Sequence, residues 1–329
     1  MNTTTWKDRL PPGLTHIGTL GPFIALLGAC LFFASQSDRF LSGGNFSLIL
    51  QQVMVVGVIA IGQTLVILTA GIDLSCGMVM ALGGIVMTKF ATELGLPPAL
   101  AVLCGIAVTT LFGLVNGLLV TRVKLPPFIV TLGTLNIAFA ITQLYSNSQT
   151  VTDLPELMTA LGNTFAIGNE TGGTEVAYGA VLMLALYGLA WFVLRETAAG
   201  RHVYAVGNNA EATRLVGIPT QRVLLGVYVM AGVFYGIAAL LSVARTGVGD
   251  PNAGQTENLD AITAVVLGGT SLFGGRGVIL GTLVGALIVG VFRNGLTLMG
   301  VSSIYQVLVT GILVILAVAT DQLSRKGAR

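Results

Sequence analysis

The chain has 329 residues, of which 54% are hydrophobic and only 9% are charged, and its formal net charge is +2. A soluble domain usually carries about 25% charged residues, so this composition excludes a soluble globule and predicts a polytopic membrane protein. The 44 glycines suit helices that approach each other closely in lipid. The three cysteines lack metal-ligand spacing, and we expect neither a metal nor another cofactor.

Ten apolar stretches are candidates for membrane-spanning helices, since a span needs ~20 apolar residues. In chain order they cover 20–35, 48–70, 77–90, 99–120, 127–145, 176–194, 223–244, 260–273, 278–298 and 303–319. The third and the eighth are short for a full crossing. We therefore predict an all-α integral membrane protein with about ten transmembrane helices, some of them broken or re-entrant, forming a single domain over residues 1–329.

Basic residues are distributed unevenly between the two sides of this predicted bundle. With ten spans both termini lie on one side, and that side collects most of the Lys and Arg residues, among them Arg122, Arg201 and Arg276. Cytoplasmic loops of membrane proteins are rich in Lys and Arg. We therefore expect the termini and the polar segment 196–222 to be cytoplasmic, and the acidic segment 146–175 to be extracytoplasmic.

The first broken stretch lies between the second and third spans, at residues 69–77. Two glycines, Asp73 and Ser75 interrupt apolar sequence there, and irregular backbone at membrane depth is tolerated where it is buried or lines a wet cavity. One interpretation is a re-entrant element that lines a solute path. The other is that Asp73 caps the next helix, with Ser75 in its first turn. The two interpretations are compatible.

The longest polar interruption of the second half covers residues 200–217. Its middle, 208–214, is predicted to be a short helix, because Asn208 or Asn209 can cap it and Glu211 lies in its first turn. Gly217, followed two residues later by a proline, ends it. A rigid cytoplasmic helix between two spans is suited to receive a push from a soluble partner.

A faint internal repeat relates the two halves. The segment around Asn116 is echoed around Asn294, and the segment around Asp73 is echoed around Asp260. If these pairs match, spans two to five repeat as spans seven to ten with opposite orientation. Inverted repeats are a common transporter plan, with the path at the repeat interface. The alternative is that Asn-Gly and Gly-Gly recur by chance in a glycine-rich protein.

Three blocks give the chain a resemblance to a known family. They are TAGIDLS at 69–75, AVGNNAEATRLVGI at 205–218 and NLDAITAVVLGGTSLFGGRG at 258–277. Together they resemble the membrane permease subunit of ABC importers of the ribose/xylose/galactose type, and ribose-type permeases in particular. The resemblance runs over nearly the whole chain. It implies a fold similar to the ten-span permeases of vitamin B12-type importers.

The same resemblance implies partners and a location. Two permease copies, as a homodimer or a heterodimer, form the pathway in the lipid of the inner (cytoplasmic) membrane. Two ATP-binding domains, usually fused in tandem in one polypeptide, dock on the cytoplasmic side. A periplasmic or lipoprotein sugar-binding protein delivers a monosaccharide from outside. No nucleic acid is expected to bind.

Residues matching the family's ATPase-coupling element are Gly207, Asn208, Asn209, Ala210, Glu211, Ala212, Arg214 and Gly217. The block at 69–75 and the repeat together give the candidate pathway residues, which are Gly71, Asp73, Ser75, Asn116, Asp260 and Asn294. The sequence departs from many relatives at 76–78 and at Arg293, which leaves the identity of the sugar open.

Two other classes of function compete with a permease. A stand-alone secondary transporter driven by protons or sodium needs a buried carboxylate relay, for which Asp73 and Asp260 are the candidates. An integral membrane enzyme needs a cluster of His, Asp or Glu, and His16 and His202 have no such neighbours in the sequence. The glycine-rich run at 267–277 is not a phosphate-binding loop, because the chain contains no Gly-Lys dipeptide.

Overall fold

The computed structural model describes residues 17–167 and 174–326. The helices are α1 (Ile17–Gln36), α2 (Gly43–Leu68), α3 (Cys76–Thr92), α4 (Pro98–Thr121), α5 (Pro127–Ser146), α6 (Glu156–Thr159), α7 (Tyr178–Glu196), α8 (Ala198–Asn208), α9 (Ala210–Leu215), α10 (Thr220–Thr246), α11 (Glu257–Leu267), α12 (Ile279–Leu298) and α13 (Ser303–Lys326). A two-stranded antiparallel hairpin, β1 (Thr164–Ile167) and β2 (Thr174–Ala177), precedes α7.

Each of the ten apolar stretches lies on a helix, namely α1 to α5, α7 and α10 to α13. Six of these helices, α2, α4, α5, α7, α10 and α12, are long and apolar enough to cross a membrane. The prediction of an all-α, multi-pass membrane protein is confirmed. Helix α11 has only 11 residues, which gives it a length of about 16 Å against a hydrocarbon core of ~30 Å. It cannot cross a bilayer alone.

The two halves of the chain pack in the same pattern. Helix α3 packs against α4 and α5, as α11 packs against α12 and α13. Helix α10 packs on α3 and α4, as α2 packs on α11 and α12. The contacts between helices thus follow the proposed repeat of spans two to five as seven to ten.

The corresponding helices α2 and α10 run in opposite directions. At the end of α2 the Leu68 carbonyl accepts a hydrogen bond from the Gly275 amide (2.9 Å) and lies against Gly207 of α8. Just beyond the end of α10, Gly249 pairs with Val151. The segment holding Val151 leads into α7, and α8 follows α7, so the two ends lie on opposite sides of the bundle. This geometry is that of an inverted repeat.

Close backbone approach explains part of the glycine content. Helices α4 and α10 meet where Gly232 faces the main chain of Thr109, and a Cβ at position 232 would lie 2.6 Å from the Thr109 carbonyl oxygen. Gly113 makes the reciprocal approach to the carbonyl of Tyr228. In lipid the hydrophobic effect does not drive helices together. Small residues instead let the two backbones approach closely, and the resulting van der Waals packing stabilises the contact.

Candidate functional site

The polar segment after α7 contains two helices, whereas the sequence predicted one. Helix α8 begins after Thr197, whose hydroxyl accepts a hydrogen bond from the Gly200 amide (3.3 Å). Val203 and Val206 lie three residues apart on its buried face, so α8 is an amphipathic helix held against the bundle. The charged residues of this segment concealed that spacing in the sequence.

Helix α9 carries the predicted cap. The Asn209 side chain accepts a hydrogen bond from the Ala212 amide (2.9 Å), Glu211 lies in the first turn and Arg214 lies in the last turn. Gly217, with a φ of +88°, follows the helix and adopts a left-handed conformation that favours glycine. Asn209 rather than Asn208 is the cap, because Asn208 still belongs to α8.

The surface of α9 is exposed and mixed in character. Ala210, Glu211, Ala212 and Arg214 are exposed. Leu215 and Val216, which follow directly, are 82% and 76% exposed. Sequence reasoning missed these two apolar residues, although two exposed aliphatic side chains beside a charged pair are typical of a docking surface.

Hydrogen bonds connect α9 to α8, and α8 to the rest of the bundle. The Thr213 hydroxyl donates to the Ala205 carbonyl (2.8 Å). The Tyr204 hydroxyl donates to the Gly277 carbonyl (2.9 Å) in the turn between α11 and α12. These hydrogen bonds link α9, through α8, to the turn between α11 and α12.

Gly207 and Asn208 belong to α8 rather than to α9. Gly207 lies against the main chain of Leu68 and of Gly275, where no Cβ fits. The backbone of Asn208 lies beside Gly275, and the residue is exposed. Gly207 therefore joins α8 to the end of α2, and Asn208 stays exposed beside the turn that follows α11.

The break after α2 is built around one buried carboxylate. Ala70 has a φ of +61°, and the chain leaves α2 in a left-handed turn. Asp73 is 1% exposed. Its Oδ1 accepts from the Ser75 amide (2.8 Å) and the Ser75 hydroxyl (2.6 Å), and its Oδ2 accepts from the Tyr235 hydroxyl (3.1 Å). The expected cap is corrected, since Ser75 is the residue before α3 and Asp73 orders the turn ahead of it.

Two further side chains complete this network, which we call the Asp73 cluster (Gln63, Asp73, Ser75, Asn116 and Tyr235). The Gln63 side chain donates to the Asp73 carbonyl (3.0 Å), and the Asn116 side chain donates to the Ser75 hydroxyl (3.1 Å). The cluster joins α2, α3, α4 and α10. Gly71 lies beside it, close to the Tyr228 hydroxyl. The sequence missed Gln63 and Tyr235, which are single polar groups inside apolar spans.

The corresponding break before α11 is open. Asp260 Oδ2 pairs with Arg293 Nη1 at 3.1 Å, and the arginine side chain is 45% exposed. The pair lines a cavity of about 180 Å³ between α11, α12 and α13, which we call the Arg293 cavity. Its other polar lining residues are Gln255, Thr256, Ser303, Gln306 and Thr310. Sequence reasoning gave no role to Gln306.

Asn294 stands apart from this cavity. Its side chain donates to Asn45 Oδ1 in the first turn of α2 (2.9 Å). The symmetry with Asn116 is therefore incomplete, because Asn116 bonds within the broken segment and Asn294 does not. Of the six candidate pathway residues, Asp73, Ser75, Asn116 and Gly71 come together, and Asp260 alone faces a cavity of this size.

The two broken helices meet at their N-termini. Asn258 Oδ1, in the first turn of α11, accepts from the Gly77 amide and from Cys76 Sγ (3.1 Å) at the start of α3. Both helices thus direct the positive ends of their dipoles toward the same region. Discontinuous helices arranged in this way form solute sites in transporters.

A comparison with known families identifies this architecture. The profile described as "Branched-chain amino acid transport system / permease component" matches residues 45–318. The chain belongs to this permease family. It is therefore a transport permease and not an enzyme, and the resemblance stated from the three sequence blocks is confirmed.

Relatives of the permease match it over almost its full length. It is 47% identical over 313 residues to a fructose import permease protein of Rhizobium meliloti, covering 93% of this chain and 86% of the relative. It is 40% identical over 304 residues to a ribose import permease protein of Bacillus subtilis, covering 92% of each chain. It is 33% identical over 322 residues to a galactose/methyl galactoside import permease protein of Escherichia coli, covering 94% and 96%.

Proposed function

We propose that this permease forms the pathway of an ATP-binding cassette importer that carries a monosaccharide across the inner membrane. The 47% identity to a fructose import permease over 93% of the chain carries this proposal. The family as a whole is described by branched-chain amino acid transport, whereas each relative described above is named for a sugar. The Arg293 cavity has a mostly apolar wall, formed by residues that include Leu259, Phe292 and Leu296, and it presents a few amides and hydroxyls and one ion pair. A mostly apolar pocket with a few placed polar groups is typical of small-molecule sites and suits a sugar.

The permease works with an ATPase and a substrate-binding protein. We propose that residues 1–329 form one domain, that two copies assemble, and that both termini and the segment 196–222 face the cytoplasm. Two ATP-binding domains, fused in tandem, then dock on α9 through Glu211, Arg214 and the exposed Leu215 and Val216. The segment 146–175 faces the sugar-binding protein.

Energy then enters through a chain of direct contacts. A push on α9 moves α8 through the bond between Thr213 and Ala205. Helix α8 bears on Leu68 and Gly275 through Gly207. Leu68 is the last residue of α2 and leads directly into the Asp73 cluster, while Gly275 belongs to the turn that follows α11. One displacement is thereby delivered to both broken helices.

The pathway lies at the junction of the broken helices. The contact of Asn258 with Gly77 and Cys76 at the starts of α11 and α3, and the cavity beside Asp260, support this placement. We propose that Gly71, Asp73, Ser75, Asn116, Asp260 and Asn294 reorganise during transport, with Asp260 and Arg293 contacting the solute.

A stand-alone secondary transporter is the competing function. Asp73 is held by Ser75 and Tyr235, and Asp260 is held by Arg293. Neither carboxylate is poised as a free carrier of protons or sodium, and no relay of contacts connects the two among the described residues. These contacts favour a passive pathway whose energy comes from a partner.

The decisive experiment reconstitutes the permease in liposomes with its ATPase and binding protein and measures sugar uptake. We expect uptake only with all components and ATP. The Glu211→Ala/Arg214→Ala double variant should lose most of the uptake and of the stimulated ATPase activity while binding-protein affinity for sugar is unchanged. Asp38→Ala, an exposed residue between α1 and α2 that lies outside both the 146–175 and the 196–222 segments, is the control. Uphill uptake by the permease alone would refute the proposal.

A further inference from the structure

An apolar cavity of about 360 Å³ lies at the end of the bundle nearest to α8, between α7 and α10. Helix α8 and Leu65 of α2 form its inner wall. Val193, Val203 and Val227 contribute to its apolar lining. Its polar lining residues are confined to one end of the cavity, where Arg222 and His202 lie.

The cavity runs along the first turns of α10 and can hold part of a lipid acyl chain. Arg222 lies in the first turn of α10, and Met230, which also lines the cavity, follows eight residues later. At 1.5 Å per residue this distance is about 12 Å along the helix. Gly226, between them, and Met230 are exposed. Because α7 and α10 are both long apolar helices, the cavity opens sideways into the hydrocarbon of the membrane.

The rim of the cavity is cationic. Arg222 is exposed and has no ion-pair partner among residues 17–167 and 174–326. Arg201 is exposed on α8 nearby. Glu196, the acidic residue between α7 and α8, pairs with Arg195 at 3.3 Å. The rim therefore retains uncompensated positive charge at the boundary between water and lipid.

We propose that this cavity binds one anionic phospholipid. The lipid phosphate lies against Arg222 and His202, and one acyl chain fills the apolar channel along α10. Basic pockets between membrane helices recognise anionic headgroups, and each Arg near the surface adds about 1 kcal/mol of attraction. The site does not depend on which solute the permease carries. A bound lipid there packs against α8 beside Leu65 of α2.

Native mass spectrometry of the purified full chain in detergent tests this proposal, with phosphatidylglycerol and phosphatidylcholine as probes. We expect one tightly bound phosphatidylglycerol. Gly226→Phe fills the channel, and nothing in the protein lies within 4 Å of the added Cβ. It should weaken lipid binding by roughly tenfold or more, because the phenyl ring excludes two or more methylenes of the acyl chain from the channel. Gly188→Phe on the exposed face of α7, equally free of neighbours, is the matched control.

The charge is tested separately. Arg222→Gln should weaken phosphatidylglycerol binding roughly fivefold, while Arg122→Gln, an exposed arginine after α4, should leave it unchanged. Inorganic phosphate should not displace the lipid. Equal binding of phosphatidylcholine, or equal effects of the two phenylalanine variants, would overturn the proposal. So would a Gly226→Phe variant that keeps the lipid and loses instead its association with the ATPase, since a protein would then be the occupant.

Discussion

The sequence repeat pairs Asp73, which lies ahead of α3, with Asp260, which lies in the first turn of α11, yet the surroundings of the two carboxylates differ. Before α3, the Asp73 carboxylate is buried and accepts three hydrogen bonds from side chains and main chain. In the first turn of α11, Asp260 pairs with Arg293, and both residues border a cavity. The difference shows how an inverted repeat can place a fixed element opposite an adaptable one. Substitutions at each carboxylate and at its neighbours test that contrast.

Replacing the buried carboxylate should have the largest effect. Asp73→Ala removes the acceptor for the Ser75 amide, the Ser75 hydroxyl and the Tyr235 hydroxyl. The Tyr235 hydroxyl can still donate to Gln63 Oε1 at 3.2 Å, whereas the buried Ser75 amide loses its acceptor. We expect a loss of about 3 kcal/mol in the free energy of unfolding, measured by thermal unfolding in detergent. Asp73→Asn retains an oxygen toward Ser75 and should lose less. Equal losses in the two variants would contradict the role given to Oδ1.

The contact between α8 and α2 should be nearly as sensitive. Gly207→Ala introduces a Cβ that collides with the main chain of Leu68, and backbone atoms cannot move aside as a side chain can. Overpacking of this kind costs about 1–3 kcal/mol, and uptake should fall while the ATPase still binds. Gly217→Ala, where no atom lies within 4 Å of the Cβ, is the comparison for a purely local strain. Normal uptake by Gly207→Ala would remove this contact from the proposed route of coupling.

Substitutions of Asp260 and Arg293 should reduce the free energy of unfolding less than Asp73→Ala does, and they should reduce sugar uptake more. Asp260→Ala leaves a half-exposed Arg293 unpaired, so solvent screening limits the loss to about 1 kcal/mol. The double variant Asp260→Ala/Arg293→Ala should be less destabilised than the sum of the single variants. Uptake should fall in all three. A stability loss as large as that of Asp73→Ala would erase the distinction between the two breaks.

Two tyrosines of α10 give the finest comparison. The Tyr235 hydroxyl donates within the Asp73 cluster, and Tyr235→Phe should cost about 1 kcal/mol. The Tyr228 hydroxyl is buried without a hydrogen-bond partner in the described part of the chain. Tyr228→Phe should therefore be neutral or slightly stabilising. Thermal unfolding measures both variants. A larger loss of stability in Tyr228→Phe than in Tyr235→Phe would contradict the hydrogen bond from Tyr235 to Asp73.

The features of the structure that the sequence predicted correctly are those that depend on short local patterns. Apolar runs located the helices, the Asn209–Glu211 pattern located α9, and the glycines with Asp73 located the first break. These features depend on residues close in sequence. Gln63 and Tyr235 lie 172 residues apart and meet through a 3.2 Å hydrogen bond, and a single polar residue in an apolar run does not reveal its partner.

The second break was less predictable for a related reason. Asp260 was identified through the repeat, but the sequence predicted that Arg293 would extend to the membrane interface and did not pair the two residues. The cavity depends on how α11, α12 and α13 are spaced, which no local pattern specifies. Helix α8 was missed because its charged residues outweighed the two buried valines on one face.

The Asn258 side chain has a consequence for how the permease moves. One oxygen atom receives both the Gly77 amide and the Cys76 thiol, so neither bond can be exchanged for the other as the helices separate. Any departure of α3 from α11 gives up both at the same instant, and half-separated arrangements gain nothing from either. A single side-chain amide thereby ties the starts of two helices whose bonded residues lie 181 and 182 positions apart in the chain.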